Sequence, residues 1–186
     1  MLNFKKINFQ KSYEYFNKNP DVYKPSDCHT NSYVKFYDVN YDEVDSRSDD
    51  FYFVTGLMTF DDGIKKFCVV HSWVEDNGKV VDTTSLANSQ LSNGDFNKKN
   101  VLEVQKILED KISYIKYFSI SNNDLTKKSQ ELFISNECNK EKAFKAIEEY
   151  LIAIAQSVEN DKEFIQKVKS EYGFELKSGN FQLEIF

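Results

Sequence analysis

Apolar and polar residues change their spacing several times along this chain, and each spacing predicts a type of element. Residues 51–60 alternate aromatic side chains with small ones and end at an Asp-Asp-Gly turn over 61–63. Residues 66–74 continue with apolar side chains in the manner of a strand. The pattern as a whole predicts one antiparallel sheet from the segments 51–60, 66–74, 79–83 and 112–120.

An Asn-Gly pair at 77–78 lies between two β-branched apolar runs, which is the strongest local signal for a tight type I′ hairpin. Because side chains alternate along a strand, His71 and Asp82 then lie on one face as diagonal cross-strand neighbours. Their backbones would be roughly 7–8 Å apart, so the side chains can lean together. The register that this turn predicts pairs Asp76 with Lys79, Trp73 with Asp82, and His71 with Thr84.

Apolar residues spaced three and four apart predict helices elsewhere. The acidic segment 42–50 and the polar segment 88–100 are predicted as connections, and the tail 174–186 as a hairpin around 178–180. In residues 1–27 the pattern predicts only a turn at the end. The predicted helices are 28–37, a short one at 101–108, one that Asn139 caps and that carries Phe144, Ile147, Leu151, Ile154 and Val158, and 161–172 before Gly173.

Length and composition restrict the function classes. A chain of 186 residues with 16 Phe and 11 Tyr has enough apolar side chains for a core. Its formal net charge of −6 and its scattered lysines argue against a phosphate-binding surface, so we expect no nucleic-acid partner. The longest apolar run, 151–155, is too short to cross a bilayer, and we expect no membrane partner.

The three cysteines, Cys28, Cys68 and Cys138, are far apart and form no Cys-x-x-Cys pair. An odd number of cysteines, without an apolar stretch near the N-terminus, indicates free thiols in a reducing compartment. We therefore expect a cytoplasmic protein, or one delivered by a secretion route that needs no signal peptide. Cys68 and Cys138 have no acid–base partners in the sequence pattern and are expected in the core.

Cys28 is the candidate nucleophile, because it stands at the predicted start of a helix, where the thiolate is favoured. His71 is the candidate base for its proton, and Asp82 is the carboxylate that would orient His71 and raise its basicity. These three roles together predict a catalytic triad. Asn31, one helical turn after Cys28, and Trp73, on the face of His71, are expected to bind substrate or to support the site.

Other interpretations of the same residues stay open. A lone Cys often fills space in a core, and a buried His–Asp pair can simply satisfy its own hydrogen-bonding groups. Cys28, His29 and His71, with Asp82, could also supply ligands to a metal, although zinc ligands usually show closer paired spacing. We expect neither a metal nor an organic cofactor.

The His-Ser-Trp segment at 71–73 and the Val-Val-Asp-Thr-Thr segment at 80–84 resemble the His and Asp strands of transglutaminase-like proteins, within the papain-like cysteine-enzyme superfamily. Cys-x-x-Asn at 28–31 precedes them, so Cys, His and Asp follow the family's chain order. The pattern is similar to that of small bacterial and phage proteins of this superfamily. The chain departs from it at Thr83, where Pro is common, and it has no Gln or Trp shortly before Cys28 to serve as an oxyanion donor.

The resemblance covers roughly residues 26–85 and implies an α+β fold of papain-like or transglutaminase-like type. In such a fold the helix carrying Cys28 packs on an antiparallel sheet carrying His71 and Asp82. We expect residues 1–120 to form this core, and residues 121–186 to form a helical C-terminal extension packed on it as one unit. The oxyanion hole would use the Cys28 backbone N–H and a second donor that the sequence does not name.

The expected function is that of a cysteine-dependent hydrolase or acyltransferase acting on an amide or other acyl bond, as in a peptidase, an amidase or a transglutaminase-like enzyme. The expected partners are a protein, peptide or amide substrate and, for acyl transfer, an amine. The alternative is a catalytically inactive protein of the same fold that serves as a protein-interaction module through its C-terminal helices.

Overall fold

The chain has an α+β fold with helices on both faces of one mixed sheet. The computed structural model describes residues 1–18, 23–24, 27–33, 50–93 and 98–177. The strands are β1 (Phe4–Lys5), β2 (Phe51–Asp61), β3 (Lys66–Asp76), β4 (Lys79–Val81), β5 (Ile112–Ser121) and β6 (Glu175–Leu176). The helices are α1 (Phe9–Lys18), α2 (described over residues 28–33), α3 (Thr83–Asn93), α4 (Lys98–Lys111), α5 (Asn122–Ser135), α6 (Lys140–Asn160) and α7 (Lys162–Tyr172).

The strands are arranged in the order β1-β5-β2-β3-β4, and β6 pairs with β3. The pairings along that order are antiparallel, and β2 and β3 pair along their full length. β6 runs parallel to β3, with Glu175 opposite Phe67, because the chain returns from α7 in the direction of β3. The expectation of a purely antiparallel sheet is therefore wrong at this edge.

The turn of the predicted hairpin is confirmed. Asn77 and Gly78 have φ angles of 51° and 73°, and a type I′ turn needs positive φ at both central positions. Asp76 pairs with Lys79 across the turn, as predicted. The Asn-Gly pair thus fixes the register of β3 and β4.

The far end of that hairpin differs from the prediction. β4 ends at Val81, opposite Val74, and α3 begins at Thr83. Asp82 is therefore at the start of a helix rather than on the sheet, because an Asp followed by hydroxyl residues favours a helix N-terminus over a further strand pair. The predicted pairings that do not form are Trp73 with Asp82 and His71 with Thr84.

Helices α1, α3 and α4 cover one face of the sheet. Phe9 and Phe16 of α1 and Val104 and Leu108 of α4 are buried in the core on this side. They pack against every second residue of the two central strands, as expected from the alternation of side chains along β-strands. These strand residues are Val54, Met58, Phe60, Phe67, Val69 and Trp73.

Helices α5, α6 and α7 cover the opposite face. One buried cluster joins Leu125 of α5 and Leu151 of α6 to Phe53 and Val74 of the sheet. A second joins Val158 and Val168 to Leu57 and Cys68. Residues after 121 thus bury one face of the central strands, while the division into a core of residues 1–120 and an extension of residues 121–186 stays a prediction.

Several predicted elements of the second half are confirmed. The segment 101–108 lies in α4 and the segment 112–120 lies in β5. Asn139 caps α6 by accepting the backbone N–H of Lys142 at 3.0 Å. Gly173, with a φ of 77°, ends α7 in the left-handed conformation that glycine adopts without a steric penalty.

Two parts of the chain differ from the sequence-based expectation. The polar segment 88–100 is mostly helical, since α3 extends to Asn93 and α4 starts at Lys98. Hydroxyl groups are satisfied within α3, where Ser89 Oγ donates to the Ser85 carbonyl oxygen at 2.7 Å. Helix α1 was not predicted.

Some predictions concern residues outside the described ranges. The end of the predicted helix 28–37 and nearly all of the acidic segment 42–50 lie outside the described residues, as does the predicted turn at 178–180. Within the described residues, no helix has the length and apolar content needed to cross a membrane.

Gly56 lies in β2 opposite His71, beside a register shift between β2 and β5 that follows Thr55. A Cβ atom at this position would lie 2.1 Å from the Ile115 carbonyl oxygen and 3.0 Å from Cη2 of Trp73. The absence of a side chain therefore allows the β5 backbone and the indole ring to approach the strand closely.

We expect Gly56→Ala to lower the free energy of unfolding by about 3 kcal/mol, because a clash with backbone cannot be relieved by a side-chain rotation. Gly63→Ala is the matched control. Gly63 has a φ of 85° with nothing within 4 Å of an added Cβ, so its cost should be only that of the positive φ, about 1 kcal/mol. Urea unfolding of both variants measures the difference, and an equal loss in the two would contradict the close approach at Gly56.

Candidate active site

Asp82 lies at the centre of a buried hydrogen-bond network at the start of α3. Only 1% of the residue is exposed. Its Oδ1 atom accepts the backbone N–H groups of Thr84 at 3.0 Å and Ser85 at 3.1 Å, so the carboxylate caps the helix. Its Oδ2 atom accepts hydrogen bonds from His71 Nε2 at 2.8 Å, Tyr114 Oη at 2.7 Å and Ser85 Oγ at 2.6 Å.

The five donors explain how a carboxylate can be charged inside the core. Burial by itself would raise the pKa of Asp82. The charge of His71 and the hydrogen bonds from His71, Ser85 and Tyr114 outweigh burial and hold this pKa at about 2. Asp82 is therefore an anion at neutral pH, and it fixes the position of the His71 ring.

His71 is 4% exposed and lies beside two aromatic rings. The Trp73 indole is nearly parallel to the imidazole, at 17° with ring centroids 6.5 Å apart, and Tyr114 lies 6.2 Å away. Trp73 is fully buried, so it contacts the site as part of its wall. The neighbouring rings and the carboxylate on Nε2 together fix the orientation of the imidazole.

Cys28 is the first helical residue of α2, which Asp27 starts by accepting the Asn31 backbone N–H at 2.9 Å. The Cys28 thiol is half-buried and lies close enough to His71 and His29 for both imidazoles to lower its pKa. Since Nε2 of His71 serves Asp82, the nitrogen available to the sulfur is Nδ1. The structure therefore brings Cys28, His71 and Asp82 together in the order thiol, imidazole, carboxylate.

The charges of the three groups depend on each other. Burial would raise the pKa of Cys28, but His71 and His29 lower it to about 5. Burial would lower the pKa of His71, but Asp82 and Cys28 raise it to about 10. Between these two values the stable form is a thiolate beside an imidazolium, which is the reactive form of a cysteine nucleophile.

Helix α2 reaches this position at a stretch of the β3 edge, here called the interval, that pairs with no strand of the described residues. The outer edge of β3 pairs with β6 at Cys68 and with β4 from Val74 onward, and no strand of the described residues pairs with it in between. Helix α2 lies against this interval, where Ser32 Oγ donates to the Ser72 carbonyl oxygen at 2.9 Å. The short β4 thus leaves room for Cys28 beside His71.

Asn31 holds α2 in place through its side-chain amide. Its Nδ2 donates to the Lys24 carbonyl oxygen at 2.6 Å and to Thr84 Oγ1 at 2.9 Å, and its Oδ1 accepts the Lys24 backbone N–H at 2.8 Å. Both amide hydrogens are therefore used within the protein. Through Thr84, Asn31 ties the helix of Cys28 to the helix that Asp82 caps.

A second histidine, His29, also lowers the pKa of the Cys28 thiol. His29 Nδ1 is 2.6 Å from Ser72 Oγ, which is 2.8 Å from Thr55 Oγ1. Ser72 and Thr55 are fully buried, so these hydroxyls depend on each other for hydrogen bonds. The sequence pattern suggested His29 only as a metal ligand and gave no sign of its contact with Ser72.

The other cysteines have different surroundings. Cys68 is fully buried, and burial raises its pKa to about 12, so it is an inert core thiol. Cys138 is exposed, which corrects the expectation that it lies in the core; it stands in the turn after α5, with a φ of 57°. All three cysteines are free thiols, as predicted.

Two partners of Asp82 were also missed by the sequence analysis. Ser85 could have been found, because it stands three residues after an Asp that starts a helix, where capping interactions occur. Tyr114 gives no local signal, since it comes from β5, 32 residues further along the chain. Long-range pairing of β2 with β5 brings it to the site.

Within the described residues, no group of three or more His, Cys, Asp and Glu side chains has the geometry to hold a metal ion. Comparisons of the chain with protein-family models, curated proteins and solved structures give no match. A functional conclusion therefore depends on the geometry and charges of the site itself.

The low pKa of Cys28 predicts its reactivity with iodoacetamide in a Cys138→Ser background, which removes the exposed thiol. Only the thiolate is alkylated, so the rate should fall with a midpoint near pH 5 as the pH is lowered. His71→Gln keeps an N–H for Asp82 but has no positive charge, so the midpoint should move up toward the ordinary value of about 8.5. A midpoint near that ordinary value in the unmutated site would contradict the ion pair.

Tyr114→Phe tests the network around Asp82. It removes a buried donor to the carboxylate and keeps the ring. We therefore expect the free energy of unfolding, measured with urea, to fall by about 1–3 kcal/mol. Tyr117→Phe on the same strand is the matched control, because its hydroxyl donates to the exposed carboxylate of Asp161 at 2.9 Å. That change should stay within about 0.5 kcal/mol, and a similar cost for both variants would argue against the network.

Proposed function

We propose that this protein is a cysteine-dependent hydrolase or acyltransferase of papain-like or transglutaminase-like type, acting on an amide or other acyl bond. The observation that carries the proposal is the series in which His71 is hydrogen-bonded to Asp82 and lowers the pKa of the neighbouring Cys28 thiol. Each member has the property its role requires: a thiol with a lowered pKa, an imidazole whose second nitrogen is available to the sulfur, and a buried carboxylate that orients it.

In the first step, Cys28 Sγ attacks the carbonyl carbon of the substrate. The new S–C bond forms from the thiolate electron pair, while the C=O π pair moves to the oxygen and makes it an oxyanion. When the oxyanion collapses, the bond to the leaving group breaks, and His71 Nδ1 gives its proton to that group. Asp82 keeps the imidazole in place throughout, since its Oδ2 accepts from Nε2 at 2.8 Å.

The second step resolves the thioester on Cys28. Water or an amine attacks the carbonyl carbon, and His71 Nδ1 takes the proton of the attacking group. The C–S bond then breaks and the thiolate is restored, so the series is ready for another cycle. A protein, peptide or amide is the proposed substrate, and an amine the proposed co-substrate for acyl transfer.

The experiment uses p-nitrophenyl acetate as an acyl donor of known chemistry. We expect the protein to acquire one acetyl group on Cys28, identified by peptide mass spectrometry, and Cys28→Ala to acquire none at this position. Cys28→Ser is the matched control of nearly equal size. His71→Gln should slow acetylation by on the order of 100-fold or more at neutral pH.

Decay of the acetyl-protein with and without a primary amine separates the two reaction types. Release of acetate alone indicates hydrolysis, and formation of the acetylated amine indicates acyl transfer. Acetylation of Cys68 or Cys138 in place of Cys28 would be evidence against the proposal and would favour the interaction module. Equal rates in the wild type and His71→Gln would do the same.

A further inference from the structure

Cys28 lies between two imidazoles, and the proposed mechanism uses only one of them. His71 approaches the thiol from the sheet face that carries Trp73 and is bonded to Asp82. His29 is bonded to Ser72, whose side chain lies on the opposite face of β3 because side chains alternate along the strand. His71 therefore extends from one face of β3, while His29 is bonded to a side chain on the other face.

The positions of the hydrogens around His29 follow from the requirement that buried hydroxyl groups be hydrogen-bonded. Either hydroxyl of the Thr55–Ser72 pair could be the donor. Among the described residues, donation by Thr55 pairs both buried hydroxyl hydrogens, whereas donation by Ser72 to Thr55 would leave the Thr55 hydrogen without an acceptor. Ser72 then donates its own hydrogen to His29 Nδ1. A neutral His29 consequently carries its hydrogen on Nε2.

Nδ1 of His29 serves Ser72, which leaves Nε2 for Cys28. We propose that His29 is a further catalytic residue: its Nε2–H donates to the Cys28 thiolate in the free protein and to the oxyanion during acyl transfer. This inference rests on the proposed function of the site. Ser72 and Thr55 are positioning residues that act through His29.

The movement of charge during the first step explains why one donor can serve both atoms. As Cys28 Sγ bonds to the carbonyl carbon, the negative charge passes from sulfur to the carbonyl oxygen, and the sulfur becomes a weak acceptor. The oxyanion is bonded to the carbon that the sulfur holds, so it arises next to the same N–H. His29 Nε2–H would thus be the second oxyanion donor beside the Cys28 backbone N–H.

Two probes separate this role from simple support of the thiolate. Iodoacetamide reacts at a saturated carbon and forms no oxyanion, whereas p-nitrophenyl acetate reacts through one. In a Cys138→Ser background, and at a pH well above the Cys28 pKa, we expect His29→Ala to lower the ratio of the acetylation rate to the alkylation rate. The expected decrease is on the order of 10-fold to 100-fold.

Conservative variants keep the test valid if His29→Ala folds poorly. His29→Gln retains an N–H at a reach similar to Nε2 and should restore most of the ratio. Thr55→Val removes the hydroxyl that directs Ser72 and should lower the ratio, and Thr55→Ser should restore it. Circular dichroism reports whether each variant keeps its fold.

The outcomes distinguish the inference from the proposed function. A lower ratio in His29→Ala with recovery in His29→Gln supports the oxyanion role. An unchanged ratio in a folded His29→Ala, with Cys28 still acetylated, overturns the role of His29 and leaves the function of Cys28 and His71 intact. If the wild type acquires no acetyl group on Cys28, both proposals are overturned.

Discussion

The buried hydrogen bond between Asp82 and His71 is the interaction on which the site depends. A carboxylate can be ionised in the core only if donors surround it, and here they come from β3, β5 and the first turn of α3. The same side chain therefore starts a helix, ends a strand and orients an imidazole. Stability and chemistry are coupled at this residue, so the activity of an Asp82 variant has meaning only beside a measurement of its folding.

The charges of the site alternate along the series: carboxylate, imidazolium, thiolate. Each anion stabilises the cation between them, which is why the pKa of His71 is raised to about 10 while the pKa of Cys28 is lowered to about 5. His29 is bonded to the Ser72 hydroxyl, whereas His71 is bonded to the Asp82 carboxylate. In the proposed assignment one ring moves protons and the other only donates a hydrogen bond, and their neighbours determine this difference.

Local signals predicted much of the fold. Asn77 and Gly78 fixed a hairpin, and Asn139 and Gly173 marked helix ends, because these residues act through their own backbone or that of near neighbours. The approach of Asp82 to His71 was expected, but through strand pairing, whereas the structure achieves it with a helix cap. Tyr114, Thr55 and Ser72 could not be assigned, since their contacts depend on strand pairing across β2, β3 and β5 that no short segment encodes.

The interval on the outer edge of β3 has a consequence of its own. Strand edges with free N–H and C=O groups are templates on which other chains can add, and proteins commonly cover them. Here the cover is α2, the element that also carries Cys28. Any displacement of that helix would remove the nucleophile from its base and, at the same time, uncover a surface prone to self-association. Loss of function and aggregation would then be two signs of a single event.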